Sequence, residues 1–321
     1  MLSTRLAVLD LARRQQLTPD AYAALTQIAA GNPRRPFSAM ILRRAVQALA
    51  MLLAGLGILF FIAANWRTQS PVPMFVGLEI ALLGACLGAA YLTPVRVPLA
   101  LLGFMASGTL LAFFGQYYQS SADPWQLFAL WAGLLTPLAF ATRSDIIWCA
   151  WIVVAMTAIS TWLKGYTGST GWRYGPEVIQ AQMTAVLLTF SLCALMARPL
   201  RRFTGAADWA LNLAVLLSVV LTTICGLWAL FSSAAIMYVV GLLILACALA
   251  YFAHESAFDI RALSICALGI DSLIIGGSVK MVSNINSLGA MCFVVGLTIL
   301  VTLALTVTPI LNLYRSRTVR G

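Results

Sequence analysis

Charge is scarce in this chain. Charged residues fill 9% of its 321 positions, where a soluble globular protein carries about 25%. Histidine occurs once, as His254, and no two cysteines stand in a CxxC spacing. A zinc or haem site needs clustered ligands, so no metal or cofactor is expected. The seven cysteines (Cys86, Cys149, Cys193, Cys225, Cys247, Cys266 and Cys292) fall inside apolar runs and are expected to pack as small hydrophobes. No cleavable signal peptide is expected either. The first 44 residues are polar and arginine-rich, and the apolar run after them is too long and lacks a small-residue cleavage site.

What is abundant is apolar surface. Hydrophobic residues make up 61% and mean hydropathy is +0.93. So few charges cannot cover so much apolar area in water. A disordered chain, a collagen-like chain and a disulfide-stapled secreted scaffold fall by the same numbers. What remains is an all-α polytopic membrane protein. The net charge of +10 would point to nucleic acid in a soluble protein. Here no basic recognition-module spacing occurs, and basic residues are expected in the cytoplasmic loops of a membrane protein. No nucleic-acid partner is expected.

A spanning helix needs about 20 predominantly apolar residues. Ten stretches qualify: Ala45–Trp66, Met74–Leu92, Val97–Tyr117, Trp125–Thr142, Ile146–Leu163, Ile179–Ala197, Trp209–Leu230, Ala234–Phe252, Ile260–Val282 and Leu288–Leu313. They are continuously apolar rather than alternating, which predicts helices and not a barrel. With the N-terminus placed in the cytoplasm, sixteen of the 20 Lys and Arg residues fall inside. Only Arg67, Lys164, Arg173 and Lys280 fall outside. One helix more or fewer would export the Arg198–Arg202 cluster or the C-terminal arginines. Ten spans with both termini cytoplasmic is therefore the expected topology.

Three segments are expected. Residues 1–44 read as an amphipathic helical hairpin: Ser3 caps a first helix, and Thr18-Pro19-Asp20 opens a second that ends at Gly31. It either lies on the inner leaflet or docks a cytoplasmic partner through residues 1–40. Residues 45–313 form the bundle, divisible into five-plus-five halves, 45–164 and 179–313. Residues 314–321 form a basic tail.

Several fragments carry a resemblance: "LTPDAYAAL", "LLAGLGILFFIAANW" (Leu52–Trp66), "GQYYQ" (Gly115–Gln119), "WQLFALWAGLLTPLA" (Trp125–Ala139) and "TRSD" (Thr142–Asp145). In this order they resemble a family of predicted bacterial membrane proteins catalogued as domain of unknown function 2157. The resemblance covers about residues 1–145. The family usually shows a histidine where this chain has Tyr118 or Gln119, so no role of that histidine carries over. The resemblance implies a bacterial inner membrane and no activity.

Ionisable side chains in the apolar region cost roughly 2.5–3.5 kcal/mol on insertion scales, which makes each a functional candidate. Asp271 stands mid-span. Ser264 and Ser278, seven residues to either side, share its helix face. Gly276-Gly277 follows it, and two glycines either break the helix, as at transporter sites, or let helices approach closely. Pro137, in the fourth span, is the matching interruption if the halves correspond. At the outer end of the bundle the threading gathers Asn65, Trp66, Glu79, Gln116, Tyr117, Asp123 and Lys280. Glu79 and Lys280 are close enough in depth to pair, or they snorkel separately. Asn65 and Gln116 are expected to hydrogen-bond between helices, as a clasp or as a polar vestibule for a ligand.

Two functions follow. The first is a transporter or flippase-like protein with a site between the fourth and ninth spans, taking an ion or small molecule and using Asp271 as a protonatable or ion-binding group. The second is a non-catalytic membrane subunit, assembly factor or sensor acting through the hairpin. An enzyme ranks third, because His254 beside Glu255 and Asp259 is a poor catalytic constellation without further ligands.

Overall fold

Ten helices among the described residues of the computed structural model are long and apolar enough to cross a membrane. It describes residues 39–65, 67, 68, 70–119, 123–169, 175–232, 235–283 and 288–318, together with Gln15, Thr18 and Ala21. By contacts the chain divides into two compact units, Met1–Met51 and Leu52–Gly321. In the first, the Ala21 N–H donates to Thr18 Oγ1 at 3.4 Å, the bond expected of an N-cap threonine. Apart from Gln15, Thr18 and Ala21, the segment before residue 39, where a helical hairpin is expected, lies outside the described residues.

The long helices are α1 (Ala39–Asn65), α2 (Pro71–Tyr91), α3 (Arg96–Tyr117), α4 (Pro124–Thr142) and α5 (Asp145–Ser169). They continue as α6 (Pro176–Met196), α7 (Asp208–Phe231), α8 (Ile236–Ala253), α9 (Ile260–Val282) and α10 (Leu288–Thr318). Three of them, α2, α4 and α6, start with proline in the first turn. There the missing N–H costs nothing and the fixed φ suits the helix. Helix α1 begins six residues before its apolar stretch, and α5 runs six residues past its own. Polar residues at the interface stay helical because water satisfies their side chains, so hydropathy marks the spanning segment and not the helix end.

The packing is that of a protein dissolved in lipid. Small residues fill the interior: Ala100, Ala106, Ala185, Ala210 and Ala214 are all essentially inaccessible. Large apolar ones such as Leu87, Leu243, Phe293 and Leu300 point outward. Lipid tails are as apolar as leucine, so nothing drives leucine inward, whereas small side chains let backbones approach. Helix α2 packs on α3, and α4 on α3 and α5. Helix α7 is the hub, packed on α5, α6, α8 and α9, and α9 in turn carries α8 and α10.

The connections after α2, α4, α6 and α8 meet on one face, where the arginines gather. An Arg96 guanidinium N–H donates to the Ala141 carbonyl at 3.0 Å, and Arg198 donates to the Phe258 carbonyl at 2.9 Å. The tightest knot joins the start of α5 to the entry of α7. Asp145 Oδ1 accepts from the N–H groups of Ala207 (2.8 Å) and Ala210 (3.1 Å), and Oδ2 accepts from Trp209 N–H (3.1 Å). One carboxylate thus caps the N-terminus of another helix, where orphan donors and the positive dipole end favour an anion. One turn on, the fully buried Trp148 donates its indole N–H to the Thr204 carbonyl at 2.7 Å. Gly205 completes the fit. Its φ is +65°, and a Cβ there would lie 2.5 Å from Arg143 Cβ.

Asp145→Ala, measured by thermal unfolding of the purified protein in detergent, should therefore cost about 1–3 kcal/mol. Asp145→Asn, which keeps one acceptor, should cost less. Gly205→Ala should cost about 1–3 kcal/mol, from the left-handed backbone and the collision with Arg143 together.

Candidate functional site

Asp271 lies eleven residues from either end of α9 and is 3% exposed. Its Oδ2 is 3.0 Å from Thr306 Oγ1 of α10, while its Oδ1 is buried with no hydrogen-bond partner. Buried polar atoms are nearly always paired, and an exception calls for a reason. The Thr306 hydroxyl is also 2.9 Å from the Thr302 carbonyl, one turn back on α10. A hydroxyl has one proton and two acceptor lone pairs. With Asp271 ionised, Thr306 donates to the carboxylate. With Asp271 protonated, the acid donates to Thr306, whose own proton turns to the Thr302 carbonyl. The same heavy-atom positions satisfy the hydrogen-bonding rules of both states. Helix α10 packs chiefly on α9, so Thr306 reaches the acid from a peripheral helix.

The other residues of the expected midplane site do not join Asp271. Ser264 Oγ donates to the Ile260 carbonyl and Ser278 Oγ to the Ile275 carbonyl, both within α9. Helix α9 is continuous from Ile260 to Val282, so Gly276-Gly277 does not break it. The glycines serve close approach instead. A Cβ on Gly276 would overlap Leu227 of α7, and one on Gly277 would lie 2.5 Å from the Tyr238 hydroxyl of α8. That hydroxyl donates to the Leu273 carbonyl of α9 at 3.1 Å. Pro137 is exposed on α4, and α4 packs on α3 and α5 while α9 packs on α7, α8 and α10. The expected pairing of interruptions between spans four and nine has no shared interface behind it.

The outer cluster is looser than expected. Trp66 lies outside the described residues. Asn65 Nδ2 donates to the Phe61 carbonyl of its own helix at 2.9 Å, and Gln116 is exposed, so neither amide bridges helices. Glu79 is exposed on α2, and the Lys280 ammonium stands 5.4 Å from the centre of the Phe231 ring. The Glu79–Lys280 ion pair is not formed, because α2 packs on α3 and α9 packs elsewhere. Asp123 is exposed at the entry to α4, where its side chain makes no capping bond. What joins α2 to α3 here is aromatic. Phe75 and Phe113 lie 4.6 Å apart between ring centres, with Tyr117 6.0 Å from Phe75. At the arginine-rich face Asp259 is a structural acid: it accepts the N–H groups of Arg261 and Ala262 at the start of α9.

Three participants had no sequence signal that singled them out. Asp145 and Trp148 find their partners some sixty residues further along the chain. Thr306 reads as one of several threonines in an apolar helix until the fold sets it against Asp271. All seven cysteines are free, with Cys193, Cys225 and Cys266 buried.

Residues 9–148 match the family described as "Predicted membrane protein (DUF2157)". This segment takes in α1, α2, α3, α4 and the first turn of α5, and so includes Asp145 and Trp148 but not Asp271. The match covers less than half of the chain. No curated protein and no solved structure matches it. The chain is thus a multi-pass membrane protein that resembles, over its first part, a family without an assigned activity.

Thr306→Val would leave the Asp271 carboxyl without a partner and should lower stability in detergent by about 1–3 kcal/mol. The double variant Asp271→Leu/Thr306→Val removes both polar groups with similar branching. It should recover most of that loss, as read in a double-mutant cycle of unfolding free energies.

Proposed function

We propose that this protein is a transporter or flippase-like protein of a bacterial inner membrane, with both termini cytoplasmic, in which Asp271 takes up and releases a proton or small cation. The observation that carries the reading is the buried carboxyl with one hydroxyl partner and one unpartnered oxygen. An acid held at mid-bilayer for packing alone would be replaced by an apolar residue at a gain, since an unsatisfied polar group there costs several kcal/mol. The Thr306–Thr302 relay supports exchange, because it serves both protonation states. Outward displacement of α10 would open the acid to whatever enters between the two helices.

A second reading is a non-catalytic subunit or sensor that acts through the N-terminal hairpin. It is favoured by the unbroken course of α9 and by the glycines' role in close packing, whereas broken helices mark the binding sites of many transporters.

The test is proton movement into liposomes that hold the full chain and a pH-sensitive dye, driven by an imposed potassium potential. The wild type should acidify the lumen, Asp271→Asn should abolish the signal, and deletion of residues 1–40 should leave it intact. Flux that persists in Asp271→Asn refutes the transport reading. A function lost with residues 1–40 but kept in Asp271→Asn supports the second.

A further inference from the structure

A groove of about 530 Å³ opens between α6, α7 and α8 at the arginine-rich face. Its size is that of a small-molecule site, about 300–1,000 Å³. Its walls are almost wholly apolar, from Phe190 to Ala194 on α6 with Ala197 just past its end, and from Leu243 to Phe252 on α8, with Leu211 and Val215 of α7 as its floor. One cation stands in the lining, Arg198, at the membrane-surface end. The groove extends from there along about two helical turns, some 12 Å at 1.5 Å per residue. Small side chains make it: Ala194, Ala197, Cys247 and Ala248 leave the space that larger ones would fill.

We propose that this groove is a binding site for an anionic glycerophospholipid, with one acyl chain between α6 and α8 and the phosphate on Arg198. Charge supports an anion over a zwitterion. Arg198 is the charged residue of the lining, and the connection that it opens also carries Arg201 and Arg202. Of the acids on this face, Asp208 pairs with Arg201 at 2.6 Å and Asp259 caps α9, while Glu255 is exposed and does not line the groove. Arg198 is fixed by its bond to the Phe258 carbonyl, so the cation is held at the groove's end. A peptide helix is a poorer occupant, since the apolar walls offer its backbone ends nothing to bond. A freely diffusing phosphate would leave the apolar walls unused. The site is independent of Asp271, which does not line it.

The test uses the full chain, delipidated in detergent and titrated with dioleoyl phosphatidylglycerol under native mass spectrometry. Dioleoyl phosphatidylcholine and glycerol 3-phosphate serve as controls. Phosphatidylglycerol should bind at one site about tenfold more tightly than phosphatidylcholine, and glycerol 3-phosphate should not compete. Cys247→Phe and Ala194→Phe put bulk into open groove and not into the core. Each should abolish the preference while leaving the unfolding temperature unchanged. Arg198→Gln should weaken phosphatidylglycerol by about fivefold, and Arg198→Lys by less. Asp271→Asn should bind as the wild type does. Equal binding of the two lipids overturns the proposal. So does wild-type binding in both filled-groove variants, and so does displacement by glycerol 3-phosphate, which would reduce the site to a bare anion patch.

Discussion

A polar group inside hydrocarbon has no water to turn to, and that constraint governs this molecule. The backbone meets it with helices. Threonine and serine side chains meet it within the helix: Thr157, Thr184, Thr222 and Ser272 each donate to the carbonyl four residues before them. Indoles meet it across helices, as Trp131 does on the Phe104 carbonyl and Trp151 on that of Ala132. Against this background of satisfied donors, a few buried polar atoms lack a partner: Asn212 Oδ1, Thr223 Oγ1 and Asp271 Oδ1 are among them. Asp271 is the carboxyl in that group, and it stands at mid-span. An ionisable group in that position, more than an unpaired amide or hydroxyl, makes the residue a functional candidate.

The same rule explains why the arginine-rich face is knotted. Helix ends leave unpaired backbone N–H and C=O groups, and side chains close three connections on that face. Asp145 closes α7, Asp259 closes its own helix and reaches Asn212 of α7 at 3.4 Å, and Arg198 holds the turn before α9. The opposite face shows a different economy, with proline starts and aromatic contacts in place of charged caps. One side of the bundle is thereby pinned by polar bonds, while the other is held by ring packing and close helix approach.

Much of the fold was legible in the sequence. Hydropathy located all ten spans, and the arginine distribution paired the connections that the structure brings together. What escaped it has physical causes. Helix ends overran the apolar stretches because polar residues remain helical at an interface. Asp145 looked like part of a family fragment, "TRSD", because its partners lie beyond the next helix pair in the chain. Gly276-Gly277 permits a break or a close contact, and only the positions of Leu227 and Tyr238 decide for contact. Asn65 and Gln116 were expected to seek partners across helices. An amide near a helix end can instead bond to its own backbone or face out, which removes the need. The groove of α6, α7 and α8 was invisible because alanine and cysteine at helical spacing look the same whether another helix or a lipid fills the space beside them.

The central claim is an even number of crossings, with the connections after α2, α4, α6 and α8 gathered on one side of the membrane. Single cysteines in a cysteine-free background, placed at Arg96, Ser144, Phe203 and Glu255 and compared with Thr68, Asp123, Gly175 and Ser232, test it directly. A membrane-impermeant maleimide applied to intact cells should label the second group and spare the first until the membrane is broken. Labelling of any one of the first four in intact cells would contradict the account.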